Sequence, residues 1–311
     1  MARDWHEVFK TWAKPPSDTE EEKGSRAAQM INSAVRSSDA LRSRHFDVYA
    51  TGSYRNNTNI RLGSDIDVAV VLLDAFYADY PASGPTAEML GHGPVSYGFT
   101  EFLADVSRAL TSKFGAEGVT QGDKAFNVHE NSYRLDADVS VFLEYRRYTG
   151  ERDADGTWRY LSGTEMRPRS DPARRIINWH QQHYDQGVLR NTATKRRFKR
   201  ITRILKRLRD EMAGQGTSDA KSAAANVSSF LIESLVFNAP DTCFNLVEGS
   251  YYEDVQATIS SLWNKTKDDA TCADFFEVNR IKPLFAATQP WNRAQAHEFL
   301  LRVWQHVGFK K

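Results

Sequence analysis

Only two cysteines occur in 311 residues, Cys243 and Cys272. They are isolated and lack metal-ligand spacing, which excludes a disulfide framework and suggests a reducing compartment. An excess of one charge is missing as well. Forty-one Lys and Arg stand against 40 Asp and Glu, a formal net charge of +1. Any affinity for nucleotides or nucleic acid must therefore come from local patches. No stretch approaches ~18 consecutive apolar residues, and the opening MARDWHEVFKTW has no apolar signal core. No membrane segment is expected, and a cytoplasmic location is. Internal repeats and low-complexity tracts are absent too. What remains, 41% apolar and 26% charged residues, is the composition of a globular protein long enough for one domain or two.

The most informative stretch is residues 51–67, TGSYRNNTNIRLGSDID. Asp65 and Asp67 open the apolar run 66–73, which is short, continuous and β-branched and so reads as a buried strand. Residues i and i+2 of a strand share a face, so the two carboxylates point together. At the mouth of a core strand they repel each other and lose solvation. A divalent cation relieves both penalties, and Mg²⁺ is the oxygen-seeking ion that also brings phosphates. Upstream, after the strand-like Phe46–Ala50, Gly52 lets the backbone approach a ligand closely. Ser53 offers a hydroxyl and an amide at a helical turn, an anion-binding arrangement.

The rest of the chain supplies a frame. Trp5, Val8, Phe9 and Trp12 predict a helix over 4–13, stopped by Pro15-Pro16. The acidic opening at 17–22 and the apolar positions through Leu41 predict a long helix over 17–45, lying across the fold and spanning both lobes. Residues 79–99 are a Pro/Gly/Ser-rich loop, and 100–114 a helix. Strand-like segments follow at 118–121, 125–129 and Ser132 to Tyr145. The last of these alternates so that Asp136 and Asp138 share its polar face. Asp138 sits deeper, between Ala137 and Val139, and is the expected third carboxylate, with Asp136 hydrogen-bonded at the rim. Turns are expected at Asp155-Gly156 and Ser162-Gly163. Helices are expected at 194–212, 222–238, 251–265, 273–281 and 291–307. His180 and His183, without further ligands, are structural or cleft-lining.

Residues 194–212, TKRRFKRITRILKRLRDEM, hold nine Lys or Arg between Lys195 and Arg209. Phe198, Ile201, Leu205, Leu208 and Met212 form the apolar stripe, and Lys199, Arg203 and Lys206 lie nearly opposite. That side is either a solvated helix face or a platform for a triphosphate or nucleic-acid backbone.

The Gly-Ser…Asp-x-Asp pattern with a later strand carboxylate resembles the signature of DNA polymerase β-like nucleotidyltransferases. Lys199, Arg203 and Lys206 resemble K-x-x-x-R-x-x-K of 2′-5′-oligoadenylate synthetases, which implies Lys206 as a donor-triphosphate ligand. Ser228-Ser229-Phe230-Leu231-Ile232-Glu233 resembles the Ser-(Tyr/Phe) element of cyclic GMP–AMP synthase-like enzymes. It implies that Ser229 holds the donor nucleotide; read alone, Ser229 is a helix cap or a helix serine. Together with DADVSVFLEYRRY and NWHQQHYDQGVLRN, these segments are similar, over residues 45–245, to bacterial CD-NTases (cyclic GMP–AMP synthase/DncV-like nucleotidyltransferases). The clade making pyrimidine-containing cyclic dinucleotides looks most alike.

The resemblance implies an α/β (α+β) bilobal fold. A mixed-sheet nucleotidyltransferase palm over 1–180 is followed by a helical lobe over 181–311 that closes the cleft. It implies a cyclic oligonucleotide synthase of anti-phage (CBASS) signalling, using ATP, UTP, GTP or CTP and releasing pyrophosphate. Two Mg²⁺ ions, or Mn²⁺, would be held by Asp65, Asp67 and Asp138, with Gly52, Ser53, Lys206 and Ser229 on the donor nucleotide. Asn191, with Thr194 behind it, would read a base edge; its spacing also suits a helix cap. No His-Cys-Cys-Cys cluster is present, so neither zinc nor a DNA activator is expected. A monomer is expected, with its cyclic-nucleotide-activated effector encoded elsewhere. The alternatives are a template-independent RNA nucleotidyltransferase and a nucleic-acid-binding pseudoenzyme.

Overall fold

The computed structural model describes residues 3–60, 65–131 and 134–310. In chain order the elements are α1 (Trp5–Trp12), α2 (Asp18–Arg36), β1 (Phe46–Ala50), α3 (Gly52–Asn56) and β2 (Ile66–Asp79). Next come α4 (Phe99–Phe114), β3 (Val119–Gln121), β4 (Phe126–Val128), β5 (Ala137–Arg152), β6 (Trp158–Met166) and β7 (Ile176–Asn178). Helices α5 (His180–Ala193), α6 (Arg197–Gln215), α7 (Ser218–Ala225), α8 (Ser229–Phe237), α9 (Tyr252–Lys265) and α10 (Arg293–Val307) complete it. Among the described residues, no helix is long and apolar enough to cross a membrane.

The chain forms two compact units, one of Ser17–Arg55 and Asp65–His180, the other of Met1–Pro16, Asn56–Ser64 and Gln181–Lys311. The first is built on a mixed sheet of order β1-β2-β5-β4-β3, with β6 pairing β5 and β7. β2 and β5 run parallel at its centre, and the other pairings are antiparallel. Ile66, Val68, Val70 and Leu72 alternate with Asp67, Ala69 and Val71, so one face buries its side chains with Ile31 and Val35 of α2 and Phe102 and Val106 of α4. The opposite face carries a smaller apolar cluster of Ala69, Val71, Phe142 and Met166.

Several boundaries differ from the sequence expectation, each for a local reason. α2 begins where expected, since Ser17 and Glu20 form a reciprocal capping box. It ends at Arg36, where the Ser37 hydroxyl turns back to the Ala34 carbonyl at 3.2 Å. Leu41 is buried from a turn beyond the helix. The strand expected from Ser132 starts at Ala137; Ser132 itself lies outside the described residues. Ser162-Gly163 is no turn but the interior of β6, with Gly163 opposite Tyr145. A β-carbon at 163 would lie 2.8 Å from the Asn178 carbonyl oxygen and 2.9 Å from the Trp179 ring, so the glycine marks close approach.

The second unit is helical around one apolar core that includes Phe9, Phe198, Leu205, Leu231, Ile259 and Phe299. Its first long helix, α5, was not among the separate helical segments expected, although it falls in the stretch after Asn178-Trp179 that the sequence marks as helical. Lys195 and Arg196 take left-handed conformations (φ 48° and 69°), which separates α5 from α6 and moves the start of α6 to Arg197. The expected helix 222–238 is split at Asn226, and Ser228 caps α8 by accepting from the Leu231 N–H at 3.1 Å. Residues 273–281 are not helical. The Asn279 side chain accepts from the Ile281 and Lys282 amides, and Phe276 bridges Pro283.

Candidate active site

Pairing in the sheet decides which polar side chains meet. Asp67 of β2 lies opposite Asp138 of β5, and Asn127 of β4 lies opposite Asp138 on its other side. The three form one cross-strand row on the face away from α2 and α4. The Asn127 side-chain amide donates to Asp138 Oδ1 at 3.2 Å. Asp65 stands one pleat before Asp67, and the next residue, Ile66, donates its N–H to the Asp136 carbonyl at 3.0 Å. Desolvation first, then the charges of Asp138, Asp136 and Glu130, push the Asp65 carboxyl above its ordinary pKa. Asp136 accepts from the Glu130 N–H at 2.6 Å, the rim position expected for it.

Gly52 closes over this row. Its φ is +59°, and a β-carbon there would lie 2.7 Å from Asp67 Cγ and 3.1 Å from Asp67 Cβ. The Thr51 N–H donates to the Asp67 carbonyl at 2.8 Å, fixing turn and strand together. Only glycine satisfies both the backbone conformation and the space. Ser53 follows, half-buried, in the five-residue helix α3. On the same face, His180 stacks edge-on against Phe142 at 5.4 Å and lies 3.5 Å from the Tyr49 hydroxyl. Burial pushes that phenol up to about 12.

The donor chemistry fits a hard divalent cation, because the row offers carboxylate oxygens whose mutual repulsion a cation would relieve. Among the described residues, however, no three His, Cys, Asp or Glu side chains converge as a ready metal cage. Asp67 and Asp138 share a row, with Asp65 one pleat before it, and the three do not close on one point.

The candidate residues of the helical unit have other surroundings. Lys206, expected on a solvent-facing platform, is 2% exposed. Its ammonium donates to the Thr58 carbonyl (3.0 Å) and hydroxyl (3.2 Å) and pairs with Glu233 at 3.4 Å. The charge is thus engaged inside the unit. Burial lowers the Lys206 pKa, opposed by Glu233. Burial would raise Glu233, yet Lys206, His183 and Thr58 hold it down at about 2. Arg203 is buried too, and Lys199 half-buried, so the basic side of α6 is largely interior. His183 is structural, 3.0 Å from Glu233.

Ser229 opens α8 and accepts from the Arg209 guanidinium at 2.8 Å. Asn191 accepts from the Lys199 N–H at 3.3 Å through its side chain, while its carbonyl takes the Arg196 N–H at 2.6 Å. It thus caps the start of α6. Thr194 bridges the same turn, donating to the Arg190 carbonyl and accepting from the Phe198 N–H. Asn127 and Arg209 were missed from sequence. Asn127 sits between two apolar strand residues, the signal of a polar face, and Arg209 was one of nine basic residues with nothing to single it out.

Comparison with known proteins agrees in both halves. Residues 35–149 match the nucleotidyltransferase domain, and 185–308 match the cGAS/DncV-like nucleotidyltransferase C-terminal helical domain. The chain is 39% identical over 308 residues to the cyclic dipyrimidine nucleotide synthase CdnE of Legionella pneumophila, covering 99% of each. It is 34% identical to the CdnE of Cecembia lonarensis, covering 99% of this chain and 100% of that one. Among solved structures it resembles the Rhodothermus marinus CdnE c-UMP-AMP synthase with Apcpp and Upnpp. The TM-score there is 0.82 at 28% identity, over 98% of this chain and 97% of that one.

Proposed function

This chain belongs to the cGAS/DncV-like nucleotidyltransferase family, a cyclic oligonucleotide synthase, and from that premise we propose that it makes a pyrimidine-containing cyclic dinucleotide for bacterial anti-phage (CBASS) signalling. The observation that carries the site assignment is the placement of Asp67 and Asp138 opposite each other on parallel strands, beneath the Gly52 turn. Asp65, Asp67 and Asp138 would hold two Mg²⁺ ions, or Mn²⁺. Bound there, the ions supply activation of an acceptor ribose hydroxyl and charge neutralisation at the leaving pyrophosphate.

The protein's own part is positioning. Gly52 lets the turn lie against Asp67, so the Ser53 hydroxyl and amide can face donor phosphates without an intervening side chain. Asn127 orients Asp138 through Oδ1. Ser229, held by Arg209, contacts the donor nucleotide. Asn191 reads a base edge with the amide atoms its capping bond leaves unused. The similarity to cyclic dipyrimidine synthases supports pyrimidine use.

The test is incubation with all four labelled NTPs and Mg²⁺, then phosphatase treatment and mass spectrometry. A phosphatase-resistant cyclic product containing a pyrimidine is expected, and none from Asp67→Asn or Asp138→Asn. A folded Asp138→Asn variant turning over at the wild-type rate would overturn the site assignment; an all-purine product would overturn the base assignment.

A further inference from the structure

The short segment after α3 is held in an unusual way. Thr58, Asn59 and Ile60 are 0%, 3% and 8% exposed, and Asn57 is left-handed at φ 51°. The Arg203 guanidinium donates to the Asn57 carbonyl at 2.6 Å and its side-chain oxygen at 3.2 Å. It also donates twice to the carbonyl of Ala13, the C-cap of α1, at 2.9 and 2.7 Å. One turn along α6, Lys206 donates to the carbonyl and hydroxyl of Thr58. The Thr58 hydroxyl donates in turn to Glu233 at 2.7 Å, and His183 closes the network from the other carboxylate oxygen. Burying an ion pair is a weak source of stability, and removing one partner leaves an uncompensated charge. What this network does accomplish is to satisfy and fix the backbone of residues 57 and 58.

We propose that Arg203, Lys206 and Glu233 are positioning residues, a clamp that fixes the backbone of residues 57 and 58 directly after the Gly52-bearing helix. Lys206 then acts on turnover through the segment it grips and not by touching phosphate. The consequence for turnover rests on the nucleotide-joining reading; the clamp itself does not.

The decisive variant is Lys206→Met, read by hydrogen exchange in the metal- and nucleotide-free protein and by steady-state kinetics. Loss of a charge-assisted hydrogen bond should speed exchange at residues 57–60 by about tenfold or more. kcat should fall while KM for the nucleotides stays within about twofold. Unchanged exchange at 57–60 would overturn the clamp, and so would a large rise in KM with kcat intact. Should Lys206→Met not fold, Lys206→Met with Glu233→Gln removes the orphaned charge. Faster exchange at 57–60 is expected there as well, and protection equal to wild type would refute the proposal. Were the wild type to form no product, the exchange measurement would still decide the clamp apart from the catalytic reading.

Discussion

Replacing Gly52 by Ala tests the site at its tightest point. The new β-carbon would start 2.7 Å from Asp67 Cγ, whereas ordinary contact begins at 3.4 Å, so the carboxylate carbon must retreat by about 0.7 Å. A left-handed conformation at a non-glycine residue adds about 1–2 kcal/mol. At roughly 2–4 °C per kcal/mol, the melting temperature should fall by about 2–8 °C. The chemical penalty should be larger, because displacing a reacting group by 1 Å can cost about 100-fold. Pyrophosphate release at saturating NTP and Mg²⁺, assayed well below the melting transition, should fall on the order of ten- to a hundredfold. Wild-type turnover with a wild-type melting temperature would refute both the packing and the placement of Asp67 in the reaction.

Asn127→Ala should leave Asp138 in place but unoriented. Ligand-orienting partners are worth roughly 10–100-fold, so the Mg²⁺ concentration for half-maximal rate should rise about tenfold or more; an unchanged Mg²⁺ dependence would remove Asn127 from the site. Glu233 is held near 2 against an ordinary 4.5, so its contribution to stability is present above about pH 4.5 and is lost as pH falls toward 2. The difference in unfolding free energy between wild type and Glu233→Gln should therefore shrink over that range in acid titrations. A constant difference would contradict the depressed carboxyl.

Much of the sheet unit was legible in the chain because its signals are local. A continuous β-branched run at 66–73 and alternation at 135–143 marked two buried strands, and period-two geometry put Asp65 with Asp67 and Asp136 with Asp138. Gly52 was legible as a point of close backbone approach; its positive φ came from the structure. Helices α1, α4, α9 and α10 announced themselves by apolar spacing. The ends of α2 and α8 and the break before α6 were harder, since serine caps and left-handed residues act over three or four positions against a continuing apolar pattern.

The sequence by itself determined that two carboxylate pairs would sit on strand faces, that a glycine turn would precede the first, and that one helix would carry nine cations. Tertiary structure alone decided which of those groups meet. Register across the β2–β5–β4 row made Asp138 the partner of Asp67 and supplied Asn127, because cross-strand neighbours are set by pairing and not by spacing along the chain. It also turned Arg203 and Lys206 inward. A helical wheel separates apolar from charged sides, but the carbonyls of Ala13, Asn57 and Thr58 and the carboxylate of Glu233 come from distant parts of the sequence. Those acceptors made the interior a suitable place for two cations.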